Sequence, residues 1–459
     1  PAAHIAKDRQ MTDTLQSRLA AFAAGPIDLP GGAVTAACDR VLDSIGVGMA
    51  AFLSPPARIA RRQAPRVASG ETARLWGDGT LTTPEDAAFA NGVMVRYLDL
   101  NDAWRTKDAH HPSDYLPGLM GVAGATGASG RQFVEALAVA YEVMCRFTDA
   151  VPFNVSGWDQ PVTGAIGTAL GAGRLMGLSE AQLAEAVALA VIPNLATYQT
   201  RAGELSMWKG CAGPNGARNG IFAARLAREG MTGPEHPFDG IYGVWNQALG
   251  GQAHALDLPG PTWGLEQTNI KTHAVRDSCQ LPIFTALDLR ETLAGREIAE
   301  LTIETYRSAW EGAVKDPELW APKTRETADH SMLFSVACAL RDGKVTPDSF
   351  EDARFADPDI LDLIGRTEVV VLDAFTGATP EERNCRITAR TAGGEEAAAH
   401  RIVTLEDIRR GMSAEDLEAK FRACTHRCYT GAEQDRIVAA VRGLPDMARV
   451  ADLPPLLDL

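Results

Sequence analysis

Apolar residues recur every three to four positions through the first part of the chain. Leu15, Leu19 and Phe22 form one stripe, and Phe89, Val93 and Tyr97 form another at i, i+4 spacing. Thr83 before Pro84 gives the second stripe an N-cap and a pre-set first residue, and Glu85 and Asp86 complement the helix dipole. Ser129 with Gln132, and Ser179 with Gln182, spell capping boxes. The helix after the first runs through Val134, Leu137, Tyr141 and Met144; the one after the second runs through Leu183, Val187 and Val191 and stops at Pro193. A further helix is expected over 215–229, with Gly230 as its left-handed stop. Gly164, Gly167, Gly171 and Gly173 lie between, at spacings that let helices pack closely. Gly171-Ala172-Gly173 is no dinucleotide fingerprint, since no strand precedes it.

From about residue 270 the period shortens from 3.6 to 2. Ala299, Leu301, Ile303 and Thr305 alternate with Glu300, Thr302, Glu304 and Tyr306, which predicts a half-buried strand. Val369 to Leu372 is a short β-branched run. Cys385, Ile387 and Ala389 alternate with Arg386, Thr388 and Arg390, and Gly393-Gly394 turns the chain into Ala397 to Val403. Helices are expected between, over about 279–293 and 327–341, and again from Ser413. The predicted fold is therefore mainly α with an α+β second domain. A large all-helical domain, 1–268 and 405–459, is interrupted by a smaller α+β lid domain, 269–404. The cleft between them is a natural place for a ligand.

Composition narrows the partners. The 459 residues carry 44 basic and 59 acidic side chains, a formal charge of −15, which argues against a nucleic-acid or anionic-membrane surface. An anionic substrate then needs a local basic pocket. The eight cysteines are scattered without a C-x-x-C, as a reducing cytoplasm would have them. Cys424-x-His426-x-Cys428 lacks the second cluster of a zinc site, so no metal is expected. The most apolar run, Ala184 to Ala196, is too short to cross a bilayer and holds Glu185 and Pro193. Met11 reads as an ordinary start, so residues 1–10 are expected to precede the natural one.

The chemistry concentrates at Arg96 to Trp104, followed by His110-His111-Pro112-Ser113-Asp114. Two acids, an amide, a loop bearing Arg and Lys and a His pair suit proton transfer on a polar, anionic molecule. Pro112 disfavours α geometry at His111, so His111 is expected on a turn or extended segment. Other polar stretches in apolar context run over 157–161, 198–210, 269–280 and 324–331, with Asn215, Arg218 and Asn219 nearby on a helix.

With these motifs together, Tyr97-Leu-Asp-Leu-Asn-Asp102, His111-Pro-Ser-Asp114, Met207-Trp-Lys-Gly210, Gly230-Met-Thr-Gly-Pro234 and Glu326-Thr-Ala-Asp-His-Ser331, the whole chain resembles the MmgE/PrpD family of 2-methylcitrate dehydratase, cis-aconitate decarboxylase and iminodisuccinate epimerase. The resemblance implies a helical domain with a lid, a homodimer, no metal or other cofactor, and chemistry on small di- or tricarboxylates through a carbanion-like state. By that resemblance Asp99 and His111 match the family's active-site Asp and His, Lys271 its lid-domain Lys, and Arg218 falls where decarboxylases have a helical Lys. The chain departs from the pattern at Ala103, which replaces a Thr. Gln160 or Asp159 stands near an expected His, Arg276 or Ser278 where a lid His would follow the Lys, and Phe334 where decarboxylases have Tyr.

The expected catalytic set is Asp99, His111, Lys271 and His273, with His111 or Lys271 as base and Asp99 or His273 as acid. Asn101, Asp102, Gln160, Arg201, Lys209, Arg218 and Arg276 are expected to bind substrate. His111 and Lys271 are expected on opposite cleft walls, brought together only by domain closure. The expected reaction is cofactor-independent dehydration of a hydroxylated polycarboxylate of the 2-methylcitrate type. The alternatives are epimerisation by the same proton abstraction, and a carboxylate-binding protein without catalysis.

Overall fold

A computed structural model describes residues 14–459; the expectation about residues 1–10 lies outside them. The helical signals become helices close to where the pattern puts them. Thr83 accepts the backbone N–H of Asp86 and opens Pro84–Tyr97. The two capping boxes form, opening Gly130–Ala150 and Glu180–Val191. The expected 215–229 helix is Ala212–Arg228, and Gly230 adopts φ +90°. On Pro84–Tyr97 the buried surface is wider than the single stripe: Val93 is fully buried, while Phe89 and Tyr97 are only half-buried. A helix wrapped on several sides needs apolar or small residues almost all round.

Close helix approach explains the glycines. Pro161–Leu175 packs between Gly130–Ala150 and Ala212–Arg228. A Cβ on Gly164 would lie 1.9 Å from Cζ of the buried Tyr115.

The second body has its own core, which includes Leu301, Ile303, Phe334 and Ile387. Its sheet is four-stranded. Ile298–Thr305 lies between Thr367–Val371, parallel to it, and Glu382–Thr391, antiparallel; Glu396–Thr404 closes the far edge. Leu301 and Ile303 face the helices that cover the sheet, as the alternation predicts. After a short helix, Leu405–Arg410, the chain leaves this body. Helix Ala414–Thr425 then packs on Gly31–Ala50, where a Cβ on Gly46 would sit 3.1 Å from the Phe421 ring. The C-terminal helices thus share the first core.

One element differs in a way that matters. The continuous helix expected over 327–341 is broken into Arg325–Ala328 and Met332–Asp342. The hydroxyl of Ser331 caps the second piece by accepting the Phe334 N–H. Periodicity reads straight through this break because the apolar positions on either side keep helical spacing. The break places Asp329 and His330 at a joint rather than on a helix face.

Candidate active site

Helix Pro84–Tyr97 ends, Leu98 caps it, and Asp99 turns into the left-handed region at φ +50°. Asp tolerates that conformation better than most residues. The turn points the Asp99 side chain into a buried group of cations. Its carboxylate lies 2.7 Å from an Arg96 nitrogen, 3.1 Å from Lys209 Nζ, and in contact with Lys271 Nζ. Lys271 Nζ also donates to the Asp99 carbonyl at 2.9 Å. Lys209 bridges onward to Asp329 at 3.0 Å, and Asp329 accepts Nδ1–H of His330 at 2.7 Å. Burial alone would raise the Asp99 pKa, but Arg96, Lys209 and Lys271 outweigh it and hold the carboxyl well below the usual range. Lys271 is lowered by burial, which its contact with Asp99 offsets only in part. Arg96 also lies 3.6 Å from the buried Asp114, so three basic side chains and three acids share this buried cluster.

Asp102 and Asn101 serve a different purpose. Asp102 accepts both the N–H and the hydroxyl of Ser113, at 3.1 and 2.6 Å, and Asn101 donates to Ser113 and to Asp114. All four are buried. This network fixes the loop and holds His111 at φ −126°, ψ 81°, outside α geometry, as its following proline requires. The Asp102 carbonyl sits 2.7 Å from Nδ1 of His111, and the His111 N–H donates to Gln160 Oε1 at 2.9 Å. A carbonyl only accepts, so Nδ1 carries the proton and Nε2 presents a lone pair. Burial, then Arg96 and Lys271, push the His111 pKa well below 6.5, so the imidazole is neutral.

A cavity of about 50 Å³ lies against these groups. His111, Gln160, Asp99 and His330 border it, with the guanidinium-bearing Arg96, Arg105, Arg201 and Arg276 around them. Arg201 is paired with Asp159 at 3.2 Å. His330 is also neutral, its pKa pushed down to about 3 by burial and by Lys209. Its Nδ1–H is held by ionised Asp329, so the lone pair is on Nε2, which lies 3.6 Å from the Asp99 carboxylate.

The expected residues divide clearly. Asp99, His111, Gln160, Arg201 and Arg276 meet at the cavity. Lys209 and Lys271 stand behind Asp99 rather than on the wall. Asn101 and Asp102 are fully buried in the Ser113–Asp114 network and do not border this cavity. His273 turns away: its Nδ1 bonds the Val345 carbonyl at 3.1 Å and its ring packs on Phe284 at 4.9 Å, within the second body. Arg218 is exposed on its helix, because position 218 falls on the solvent face between buried Ala217 and Gly220. The separation expected between His111 and Lys271 is also smaller than sequence distance suggests, since Lys271 already reaches Asp99 across the joint. An antiparallel bridge between Ala103 and Asn269 ties the two segments together.

Four residues escaped the sequence reading as site groups: Arg96, Arg105, Asp329 and His330. Arg96 reads as an ordinary last-turn base, and Arg105 as a loop charge. Asp329-His330 lies in a polar stretch that stood out, but its helical period concealed the break.

Among the described residues, Asp99, Asp329 and His330 form a group whose donor atoms lie within 4.8 Å of one another. Its carboxylates are already engaged by Arg96, Lys209 and Lys271, so a divalent cation would have to displace ammonium and guanidinium groups. No described helix is long and apolar enough to cross a membrane.

Comparison with known proteins follows the same outline. The model of the MmgE/PrpD N-terminal domain matches residues 17–257, and that of the C-terminal domain residues 273–446. The chain is 27% identical to 2-methylcitrate dehydratase of Cupriavidus necator, with 90% of each chain covered. It is 26% identical to cis-aconitate decarboxylase of Homo sapiens, covering 91% of this chain and 88% of that one. To 2-methylcitrate dehydratase of Escherichia coli it is 24% identical, again with 90% of each covered. With both domain models matched in order over most of its length, the chain belongs to the MmgE/PrpD family.

Proposed function

We propose that this protein is a lyase that removes water from a small hydroxylated di- or tricarboxylate of the 2-methylcitrate type. One observation carries the reading. A neutral imidazole, His111, has its Nδ1–H fixed by a backbone carbonyl, its Nε2 without a partner among the described residues, and a cavity with guanidinium groups beside it.

The His111 Nε2 takes the proton from the carbon next to a carboxylate. The developing negative charge on that carboxylate is stabilised by the surrounding cations. The carbon–carbon double bond forms as the neighbouring C–O bond breaks. Burial that makes His111 a weak base also makes its imidazolium a strong acid, so it returns the proton to the departing hydroxide and water leaves. Asp99 is not the acid in this scheme, because its cationic neighbours keep it ionised. It holds Arg96, Lys209 and Lys271 in place. The proposal carries a homodimeric state with it, checked by the mass in solution.

A screen of hydroxylated di- and tricarboxylates, read by ultraviolet absorbance of the new conjugated double bond, tests the activity. No turnover of any such acid would overturn it. A second reading is favoured by His330, a second neutral imidazole with a basic Nε2 on the same cavity. Two bases on one substrate suit epimerisation. Deuterium entering the α-carbon of a candidate acid without loss of water would select that reading.

A further inference from the structure

Arg105 and Arg276 come from opposite sides of the molecule's joint. Arg105 is on the short hairpin that pairs Trp104–Arg105 with Ala109–His110, anchored to the helical body where Trp104 Nε1 donates to Asp149 at 2.8 Å. Arg276 is the N-cap residue of helix Asp277–Leu293 in the second body. Both border the cavity that holds His111.

Neither guanidinium has an ion-pair or hydrogen-bond partner among the described residues, and the Arg276 Nε is buried without one. The adjacent carboxylate, Asp277, is taken by Arg383 at 2.7 Å. Burial and the like charge of Arg276 lower the pKa of Arg105. Gly312 makes room for the second guanidinium: a Cβ there would lie 2.6 Å from an Arg276 terminal nitrogen. Asp277, on the same cavity, offsets the Arg105 charge only in part, and two guanidinium groups without a direct partner facing one space cost free energy that a bound anion relieves. Guanidinium suits that task through its planar, bidentate donor edge.

We infer that Arg105 and Arg276 form a two-sided clamp for a substrate carboxylate remote from the carbon that loses its proton, so that the enzyme selects acids carrying an additional carboxylate. This deepens the dehydratase reading and rests on it for the word substrate; the clamp itself is an anion site with its own readout. Because the clamp spans both bodies, the bound carboxylate also draws the second body onto the first.

Calorimetric titration with propane-1,2,3-tricarboxylate and with glutarate measures the clamp without turnover, since neither has a hydroxyl to lose. The native protein is expected to bind the tricarboxylate at least about tenfold tighter than the dicarboxylate, the scale of one charge-assisted bond. In Arg105→Gln and Arg276→Gln the preference is expected to collapse through weaker tricarboxylate binding, with glutarate affected less. Arg105→Lys keeps the charge without the planar fork and should fall between. Thermal unfolding near the native midpoint qualifies each variant as folded. If one Gln variant fails that check, the other and Arg105→Lys decide.

No preference in the native protein, or an unchanged preference in folded Gln variants, overturns the clamp. Equal loss of both ligands also overturns it, because that is a general electrostatic effect. The two readings fail separately. Arginine-dependent preference without turnover of any hydroxy acid sinks the dehydratase and keeps the clamp. Turnover with indifferent Gln variants does the reverse.

Discussion

Lys271 holds Asp99 twice, donating to its carbonyl at 2.9 Å and to its carboxylate. The two residues stand 172 positions apart, at the start of the second body and at the end of a helix in the first. This contact, with the Ala103–Asn269 bridge beside it, makes the joint between the two bodies part of the site.

Asp99→Asn is therefore expected to cost stability as well as activity. It leaves Arg96, Lys209 and Lys271 buried with one carboxylate fewer. Breaking a buried pair on one side typically costs about 3–5 kcal/mol. Denaturant unfolding with an unchanged midpoint would show that the group is not the hub described here.

His111→Gln should separate the two effects. The native side chain makes one hydrogen bond, worth about 1 kcal/mol, so the fold should persist. Turnover should fall by about 10²–10⁴, the usual contribution of a positioned base. Steady-state kinetics on the best acid from the screen reads this, and full turnover would remove His111 from the mechanism.

The pH profile of kcat/KM should follow the depressed pKa of His111. The neutral imidazole is the active form and persists below 6.5. The acid limb should thus lie below that value rather than at it. A limb at 6.5 would mean that the imidazole is not buried as described.

Each buried neutral histidine should lower stability on mild acidification, against the buried carboxyls that act in the opposite sense. His110 and His330 have pKa values pushed down to about 3 by burial, against an ordinary 6.5. Between those values the unfolded chain binds protons that the folded chain does not, so stability drops as pH falls, by up to about 1.4 kcal/mol per pH unit for each group. Asp114 and Asp108, both raised by burial from 3.8 to about 7, work the other way and offset these two over that window. His111 and His273, also lowered, add to the fall. His110→Gln should flatten the decline of the unfolding midpoint between pH 6.5 and 5; an identical slope would contradict its buried neutral state.

Gly164→Ala tests the packing that carries the site's floor. Its Cβ would meet the Tyr115 ring at 1.9 Å, and Tyr115 follows directly on Asp114. Overpacking of this kind costs about 1–3 kcal/mol. A midpoint at or above the native one would show that the ring yields freely.

The sequence by itself determined the class of the fold and most of its elements. Capping boxes at Ser129 and Ser179 act within one turn, and the alternation about Leu301 and Ile303 records which face a strand buries, so both signals are local. It also determined the backbone at His111, because Pro112 restricts the preceding residue through its own ring. Tertiary structure alone decided the rest. Whether Asn101 and Asp102 face a substrate or Ser113 depends on what the fold brings beside them. Arg218 and Arg276 are chemically alike, yet one falls on a solvent face and the other at a joint. Asp329 and His330 entered the site through a break that helical periodicity cannot register, since the apolar positions keep their spacing across it. A charge cluster such as Arg96, Asp99, Lys209, Lys271 and Asp329 is assembled by long-range contacts, and its pKa values follow from burial and distance, which no local pattern records.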